Sequence, residues 1–430
     1  MNKITFDQLQ EELYYQKMDN GLQVYILPKK GFNKTYATFT TKYGSIDNHF
    51  LPLEKTDYVK VPDGIAHFLE HKLFEKEDGD VFQQFSRQGA SANAFTSFTR
   101  TAYLFSSTAD VEQNLETLID FVQDPYFTEK TVEKEKGIIG QEITMYEDNP
   151  DWRLYFGLIE NMYHHHPVKI DIAGTIDSIA PITKDMLYEC YHTFYHPSNM
   201  LLFIVGPVNP EDIMKQITDN QAKKDYKAQP EIQRKIDTEP VSVAKKSKVL
   251  QMNVQTSKCL VGIKALNTGL TGEAMQKHEL TVNVLLDLLF SKSTENYNQL
   301  YSQGLIDETF SFDYTLENGF GFAMVGGDTS DPERLSQTIT SMFFDAKSGT
   351  TLTEEALNRS KKKKIGSFLR AVNSPEYIAN QFTRYAFNDM DLFAVVPILE
   401  QITLSDVKQA ATELIAENRF TVCKVLPKSN

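Results

Sequence analysis

Residues 64–74 read GIAHFLEHKLF. Ile65, Leu69 and Leu73 recur every four positions, which is the spacing of one face of an α-helix. On such a helix His67, Glu70 and His71 stand at i, i+3 and i+4 and share a face. Two imidazoles four residues apart can both reach one metal ion, and with one carboxylate from elsewhere they leave a tetrahedral position open, as a catalytic zinc requires. Water on such an ion has its pKa lowered from about 15.7 towards roughly 7, and a carboxylate that is not a ligand, here Glu70, can take its proton. H-x-x-E-H is a short signature of this arrangement. The bland alternative is three ordinary surface or hydrogen-bonded side chains.

Upstream, LQVYIL (22–27) and YATFTTKY (36–43) are β-branched and aromatic runs bounded by Asn20-Gly21 and Gly44-Ser45, and they read as strands. Downstream come strand-like SANAFTSF and AYLFSS, then helical patterns in VEQNLETLIDFVQ and TEKTVEKEKGIIGQEITMYEDN, the latter with Thr128 as N-cap. The alternation persists to LLFIVGPV, giving an α+β domain over residues 1–215. Residues 216–246 are rich in Lys, Gln, Glu and Pro and poor in large apolar side chains, as a linker is. From 247 to 430 the pattern restarts with strands QMNVQT and LVGIKAL, a long helix around HELTVNVLLDLLF, strands through FSFDYTL and FGFAMVGG, and three helices. DFVQDPYFTEKTVEKEKGIIGQEI lines up with MFFDAKSGTTLTEEALNRSKKKKIGSFL when Thr128 is set against Thr353, an offset of 353 − 128 = 225. The expected fold class is α+β: two homologous mixed domains, each an antiparallel-rich sheet packed with helices. Ser360 and Ser367 then fall where the first half has Glu135 and Glu142, so whatever those carboxylates do in the first half is not done in the second, and the C-terminal domain is expected to lack metal ligands.

At 430 residues the chain exceeds what one core usually supports, which agrees with two domains. With 41% hydrophobic and 24% charged residues, and no run approaching the roughly 18 apolar residues of a membrane span, the composition is that of a soluble protein. MNKITFDQLQEELYYQ lacks the apolar core of a signal peptide, and Cys190, Cys259 and Cys423 are odd in number and set in apolar surroundings. Both features predict a reducing, cytoplasmic location. The formal net charge of −14 argues against nucleic acid and permits attraction of cationic peptides, although solubility alone accounts for it. Lys361 to Lys364 read as an exposed helix face, and Gly326-Gly327 lack a phosphate-loop pattern. His164, His165 and His166 are adjacent, so on any regular element they point apart and rarely share an ion. Tyr195-His196-Pro197 reads as a turn into MLLFIV.

The third ligand must come from another helix, and the later one supplies Glu129, Glu133, Glu135 and Glu142. Glu135 and Glu142 are seven apart, two turns along one face. All four can equally form a solvated acidic face with lysine partners, and spacing alone does not choose.

GIAHFLEHKLF, followed by GASANAFTSFTRTAYLF and VEKEKGIIGQEITMYEDNP, resembles the inverzincin peptidases of the pitrilysin and insulinase family, from about Asn20 through the second half. The resemblance implies a zinc-dependent endopeptidase for short or unfolded peptides, with His67, His71 and Glu142 as zinc ligands, Glu70 as base and Glu135 as a supporting acid. Glu142 then lies 142 − 71 = 71 positions beyond the second histidine. It also implies two domains facing each other across a chamber, and a sheet edge at Ala92, Asn93 and Ala94 to which an extended peptide adds its backbone. Without the resemblance that strand reads as an interior one packed through small residues.

Active members of the family carry, in the second domain, an Arg and a Tyr seven apart around a Gly-Leu pair, which hold the substrate and stabilise the oxyanion. Setting Gly304-Leu305 of QLYSQGLIDETF on that pair puts Leu300 and Asp307 at those positions, and neither can substitute. The expectation is a paralogous partner subunit that supplies the Arg and Tyr, as some short bacterial members and the mitochondrial enzyme divide their labour. Tyr301, Tyr314 or Arg384-Tyr385 are the other candidates. The rival function is a non-catalytic scaffold or peptide-binding subunit, against which the intact His67, Glu70, His71 and Glu142 stand. Hydrolysis of a non-peptide amide is disfavoured by the strand suited to peptide pairing.

Overall fold

The structure, a computed structural model, describes residues 1–53, 55–77, 79–348 and 352–428. Its strands are β1 (Asn2–Phe6), β2 (Glu11–Lys17), β3 (Gln23–Pro28), β4 (Thr35–Thr41), β5 (His49–Phe50), β6 (Val59–Lys60), β7 (Glu75–Lys76), β8 (Gly79–Asp80), β9 (Ala90–Thr96), β10 (Thr101–Ser107), β11 (Met200–Gly206), β12 (Ser247–Met252), β13 (Ser257–Lys264), β14 (Ser311–Glu317), β15 (Phe320–Thr329) and β16 (Phe420–Pro427). Its helices are α1 (Ile65–Leu73), α2 (Val81–Arg87), α3 (Val111–Val122), α4 (Glu129–Asp148), α5 (Pro150–Met162), α6 (Ile176–Ile179), α7 (Lys184–Phe194), α8 (Pro210–Gln221), α9 (Gly272–Phe290), α10 (Glu295–Ser302), α11 (Pro332–Lys347), α12 (Glu354–Ala371), α13 (Pro375–Phe387), α14 (Val395–Gln401) and α15 (Leu404–Leu414).

These elements gather into two α/β units. Unit 1 comprises Met1–Ile143, Asp171–Ile236 and Ala371–Phe387, and unit 2 comprises Thr144–Ile170, Asp237–Arg370 and Asn388–Asn430. Unit 1 holds a sheet in the order β1-β2-β3-β11-β4-β10-β9, and unit 2 one in the order β12-β16-β13-β15-β14. The run β3-β11-β4-β10-β9 matches the second sheet strand for strand. In each, the first pair is parallel and the others are antiparallel. The internal repeat extends to the helices. α4 and α12 start 354 − 129 = 225 residues apart, as do α5 and α13 at 375 − 150 = 225. Thr128 and Thr353 each accept an N–H at the start of their helix, at 3.2 and 3.3 Å.

The units differ from the continuous halves expected along the sequence, because α5 belongs to unit 2 and α13 to unit 1. The reason is packing. α5 buries Leu154, Leu158, Ile159 and Met162, and a Cβ on Gly262 of β13 would come within 2.1 Å of Met162 Cε, so the helix lies against the strand at its glycine. α13 places Phe382 at 4.7 Å from Tyr25 and 4.6 Å from Phe203, on the sheet of unit 1. The expected linker begins later than residue 216, since α8 continues to Gln221 and buries Ile217. Among the described residues five α-helices, not three, follow β15, and the chain returns as β16 between β12 and β13. Strand β12 takes in only Gln251 and Met252 of QMNVQT and starts earlier, at Ser247, and β1 and β2 add a hairpin that the strand pattern does not mark. The lysine run is only partly exposed: Lys361 is half-buried and donates to the carbonyls of Glu400 and Ile402 at 2.6 and 2.8 Å. The three cysteines are buried and unbridged, and burial pushes the Cys190 thiol up to about 12. Among the described residues no helix is long and apolar enough to cross a membrane.

The three adjacent histidines of unit 2 serve through their backbone. The N–H groups of His164, His165 and His166 donate to the Glu239 carboxylate at 2.7, 2.8 and 2.8 Å, and Lys264 Nζ, on a residue 3% exposed, donates to it at 2.6 Å. Burial alone would push the Glu239 carboxyl up, but Lys264 and the three N–H donors outweigh it and bring it down to about 2. Its folded pKa lies below the ordinary 4.5, so the stabilisation is complete above that value and is lost as pH falls from there towards about 2. Glu239→Gln is expected to cost about 3 kcal/mol of unfolding free energy at neutral pH, because it leaves the buried Lys264 ammonium with carbonyl acceptors but no counter-charge. Denaturant titrations should show the gap to the wild type closing as pH falls through that window. A gap that stays constant would contradict this account.

Candidate metal centre

Helix α1 starts from Gly64 in the left-handed region at φ 91°, where a Cβ would sit 2.4 Å from the Ala173 carbonyl oxygen, so only glycine allows this approach. Ile65, Phe68, Leu69 and Leu73 are buried in the core of unit 1. His67 and Glu70 are each only 8% exposed. On α4 the buried positions Val132, Glu135, Ile139 and Ile143 form one stripe, and Glu142 lies beside it. The four candidate carboxylates therefore separate. Glu133 pairs with Lys136 at 2.9 Å and Glu129 with Lys184 at 3.3 Å, both in solvent, whereas Glu135 and Glu142 meet the histidines.

One donor atom from each of His67, His71 and Glu142 lies within 4.8 Å of the other two. Glu142 Oε2 stands 3.7 Å from His67 Nε2 and 3.4 Å from His71 Nε2. Donors at about 2.1 Å from a tetrahedral zinc are about 3.4 Å apart, so two imidazole nitrogens and a carboxylate oxygen fit that ion in spacing and in chemistry. The two rings are 4.6 Å apart at 60°, and His71 turns its other nitrogen, Nδ1, to Glu135 Oε1 at 3.2 Å, which orients the ring. His67 Nδ1 is buried without a hydrogen-bond partner among the described residues.

Burial, and then the neighbouring His71, hold the His67 imidazole down at about 4, so it is a neutral donor. Burial lowers His71 as well, but the hydrogen bond to Glu135 and the charges of Glu70 and Glu142 outweigh it and raise it. Glu135 is lowered in turn, the contact with His71 overcoming its own burial. Burial pushes Glu70 up to about 7 against the pull of Thr96, whose hydroxyl donates to Glu70 Oε2 at 2.6 Å.

Glu70, His71 and Glu135 open onto a cleft of about 690 Å³ that Asn93, Ala94, Phe82 and Ile138 also line. Strand β9, with Ala92, Asn93 and Ala94, pairs only with β10, so its outer edge is free of strand partners among the described residues. Thr96, Phe82 and Ile138 were not among the candidates read from the sequence, and no spacing rule marks them. In unit 2, Leu300 is buried on α10, and Asp307 is exposed and accepts from the Thr309 N–H and hydroxyl at 2.8 and 2.6 Å. Tyr314 is buried with no partner for its hydroxyl among the described residues, and Tyr301 is exposed.

Residues 59–176 match the model for Insulinase (Peptidase family M16), and residues 181–364 match the model for Peptidase M16 inactive domain. An "Uncharacterized zinc protease YmfH" of Bacillus subtilis is 68% identical over 426 residues, 99% of either chain. A solved putative M16-like peptidase from Alicyclobacillus acidocaldarius superposes with a TM-score of 0.93 at 40% identity, covering 97% of this chain and 99% of the other. A protease from Helicobacter pylori shares the fold, with a TM-score of 0.82 at 20% identity over 97% of this chain and 100% of that one. With such a relative matched from end to end, the chain belongs to the insulinase family of peptidases, M16.

Proposed function

We propose that this chain is a zinc-dependent endopeptidase, or the zinc-carrying subunit of one, acting on short or unfolded peptides. The observation that carries this reading is the convergence of His67 Nε2, His71 Nε2 and Glu142 Oε2 beside Glu70, a buried carboxylate outside the donor set that opens onto the cleft. His67, His71 and Glu142 would hold the ion. Bound there, zinc supplies Lewis-acid chemistry, acidifying water and polarising the peptide carbonyl. Glu70 takes the proton of the attacking water and returns it to the leaving nitrogen. Glu135 orients His71 through Nδ1. Ala92, Asn93 and Ala94 pair with the backbone of an extended substrate along the free edge of β9. A purely scaffolding role would leave no reason to keep the donors and the base together. Buried unbridged thiols support work in a reducing, cytoplasmic compartment.

The reading extends to a second chain. Leu300 has no donor, and the exposed Asp307 carboxylate would repel a developing oxyanion, so a paralogous partner supplies the Arg and Tyr that the family resemblance implies.

Three outcomes follow. Glu70→Gln is expected to retain zinc, measured by metal analysis, and to lose at least about 100-fold in kcat on extended peptides. Full activity in that variant would remove Glu70 from the mechanism. Changes to groups that merely support a ligand cost about 10–100-fold in metal affinity, so Glu142→Ala should exceed that loss while Glu133→Ala binds as the wild type does. Equal affinities in the two variants would send the search for the third ligand elsewhere on α4. Finally, kcat/KM on a quenched extended peptide should rise on adding the paralogous partner, and a chain equally active alone would dispose of the shared clamp.

A further inference from the structure

We propose that Thr96 is the positioning residue for the base: its hydroxyl holds Glu70 Oε2, so that the carboxylate presents Oε1 alone to the cleft. This rests on the reading of Glu70 given above. The Thr96 hydroxyl has one hydrogen, and the Glu70 oxygen 2.6 Å away takes it. Glu70 Oε1 has no hydrogen-bond partner among the described residues, and Glu70 is part of the cleft lining. One oxygen is thus anchored to the protein and the other is left for water.

The anchor itself is fixed. Thr96 is the last residue of β9 and pairs with Thr101 of β10. Thr101 is fully buried and donates its own hydroxyl to the Tyr43 carbonyl at 2.9 Å, so it does not compete for Glu70. A β-branched side chain at the end of a strand has few rotamers, which makes the direction of the hydroxyl a property of the sheet. By the alternation of a strand, Ala92, Ala94 and Thr96 share one face, so the strand offered to the peptide also carries the group that aims the base. A glutamate on α1 without this tie would have three free torsions, and a misplaced base loses rate without losing substrate.

The test compares Thr96→Val, which keeps the shape and removes the donor, with Thr96→Ser, which keeps the donor. The protein is used as the zinc-loaded full chain with its partner present. Thr96→Val is expected to lose about 10-fold or more in kcat, with KM within about twofold of the wild type, and Thr96→Ser to recover most of that loss. Zinc content and the thermal midpoint should be the same in both variants. Crystal structures should show the Glu70 carboxylate turned away from its wild-type orientation in Thr96→Val and in place in Thr96→Ser. An unmoved Glu70, an unchanged kcat, or an equal loss in the serine variant would overturn the proposal. Failure of the underlying functional reading looks different: the wild type would neither bind zinc nor cleave peptide, although Thr96 still held Glu70 in the crystal.

Discussion

Exclusion of water around one nine-residue helix is the constraint on which the site depends. His67, Glu70 and Lys72 of α1 and Glu135 of α4 are all buried, and each would cost several kcal/mol if left charged and unpaired. Lys72 is answered by Glu75, Glu70 by Thr96 and His71 by Glu135. His67 Nε2, His71 Nε2 and Glu142 Oε2 converge, the carboxylate oxygen lying 3.7 and 3.4 Å from the two nitrogens. Two imidazole nitrogens and a carboxylate oxygen drawn together at that range are stabilised by a positive charge among them. The raised proton affinity of His71 beside a depressed His67 is the response of the protein alone, and a divalent cation answers the same demand more fully.

The second unit shows what the same scaffold does without that demand. The offset of 225 sets Ser360 at the position of Glu135, and Ser360 Oγ donates to Asp287 of α9 at 2.8 Å. Lys363, on the same turn of α12, donates to the other Asp287 oxygen at 2.6 Å. A covalently tethered ammonium thus neutralises a buried carboxylate between the two helices, and among the described residues no His/Cys/Asp/Glu cluster there could hold a metal. The repeat kept sheet order, helix starts and a threonine cap, and it has serines in place of Glu135 and Glu142. This agrees with the match of residues 181–364 to a domain described as inactive.

The sequence exposed what depends on short range. The i, i+3, i+4 face of α1, the Thr128 cap, the internal repeat and the burial of the three cysteines all follow from local pattern, and the structure carries each of them. What escaped depends on contacts far along the chain. Nothing in PDWRLYFGLIENM says that α5 belongs with β13 and β16, since that is decided by Gly262 about a hundred residues later. TVCKVLP follows several helices and becomes an inner strand only because β12 and β13 flank it. Glu239 lies in a stretch that reads as solvated linker, yet three amides and a lysine claim its side chain. Thr96 is one threonine among many until Glu70 is brought beside it. Spacing could not choose among the four carboxylates of α4 because helical period places several on one side, and only the position of α1 tells solvent from site.

The free strand edges add an argument that neither the motif nor the metal site supplies. Exposed edges invite unwanted pairing, and proteins guard them with charge. The outer strand β1 carries Lys3, β12 carries Lys248, and β14 carries Asp313 and Glu317. Among the described residues, strand β9, ASANAFT, is the one outermost strand of the two sheets without a charged residue, and its alternate positions Ala90, Ala92 and Ala94 are as small as a side chain with a Cβ can be. Left bare, such an edge is a liability. Its position beside Glu70 and His71, where an added strand would lie along the cleft, agrees with the proposal that an extended peptide pairs its backbone there. Charge on β9 would protect the sheet and obstruct that pairing, so the unguarded composition supports the edge as the substrate's seat.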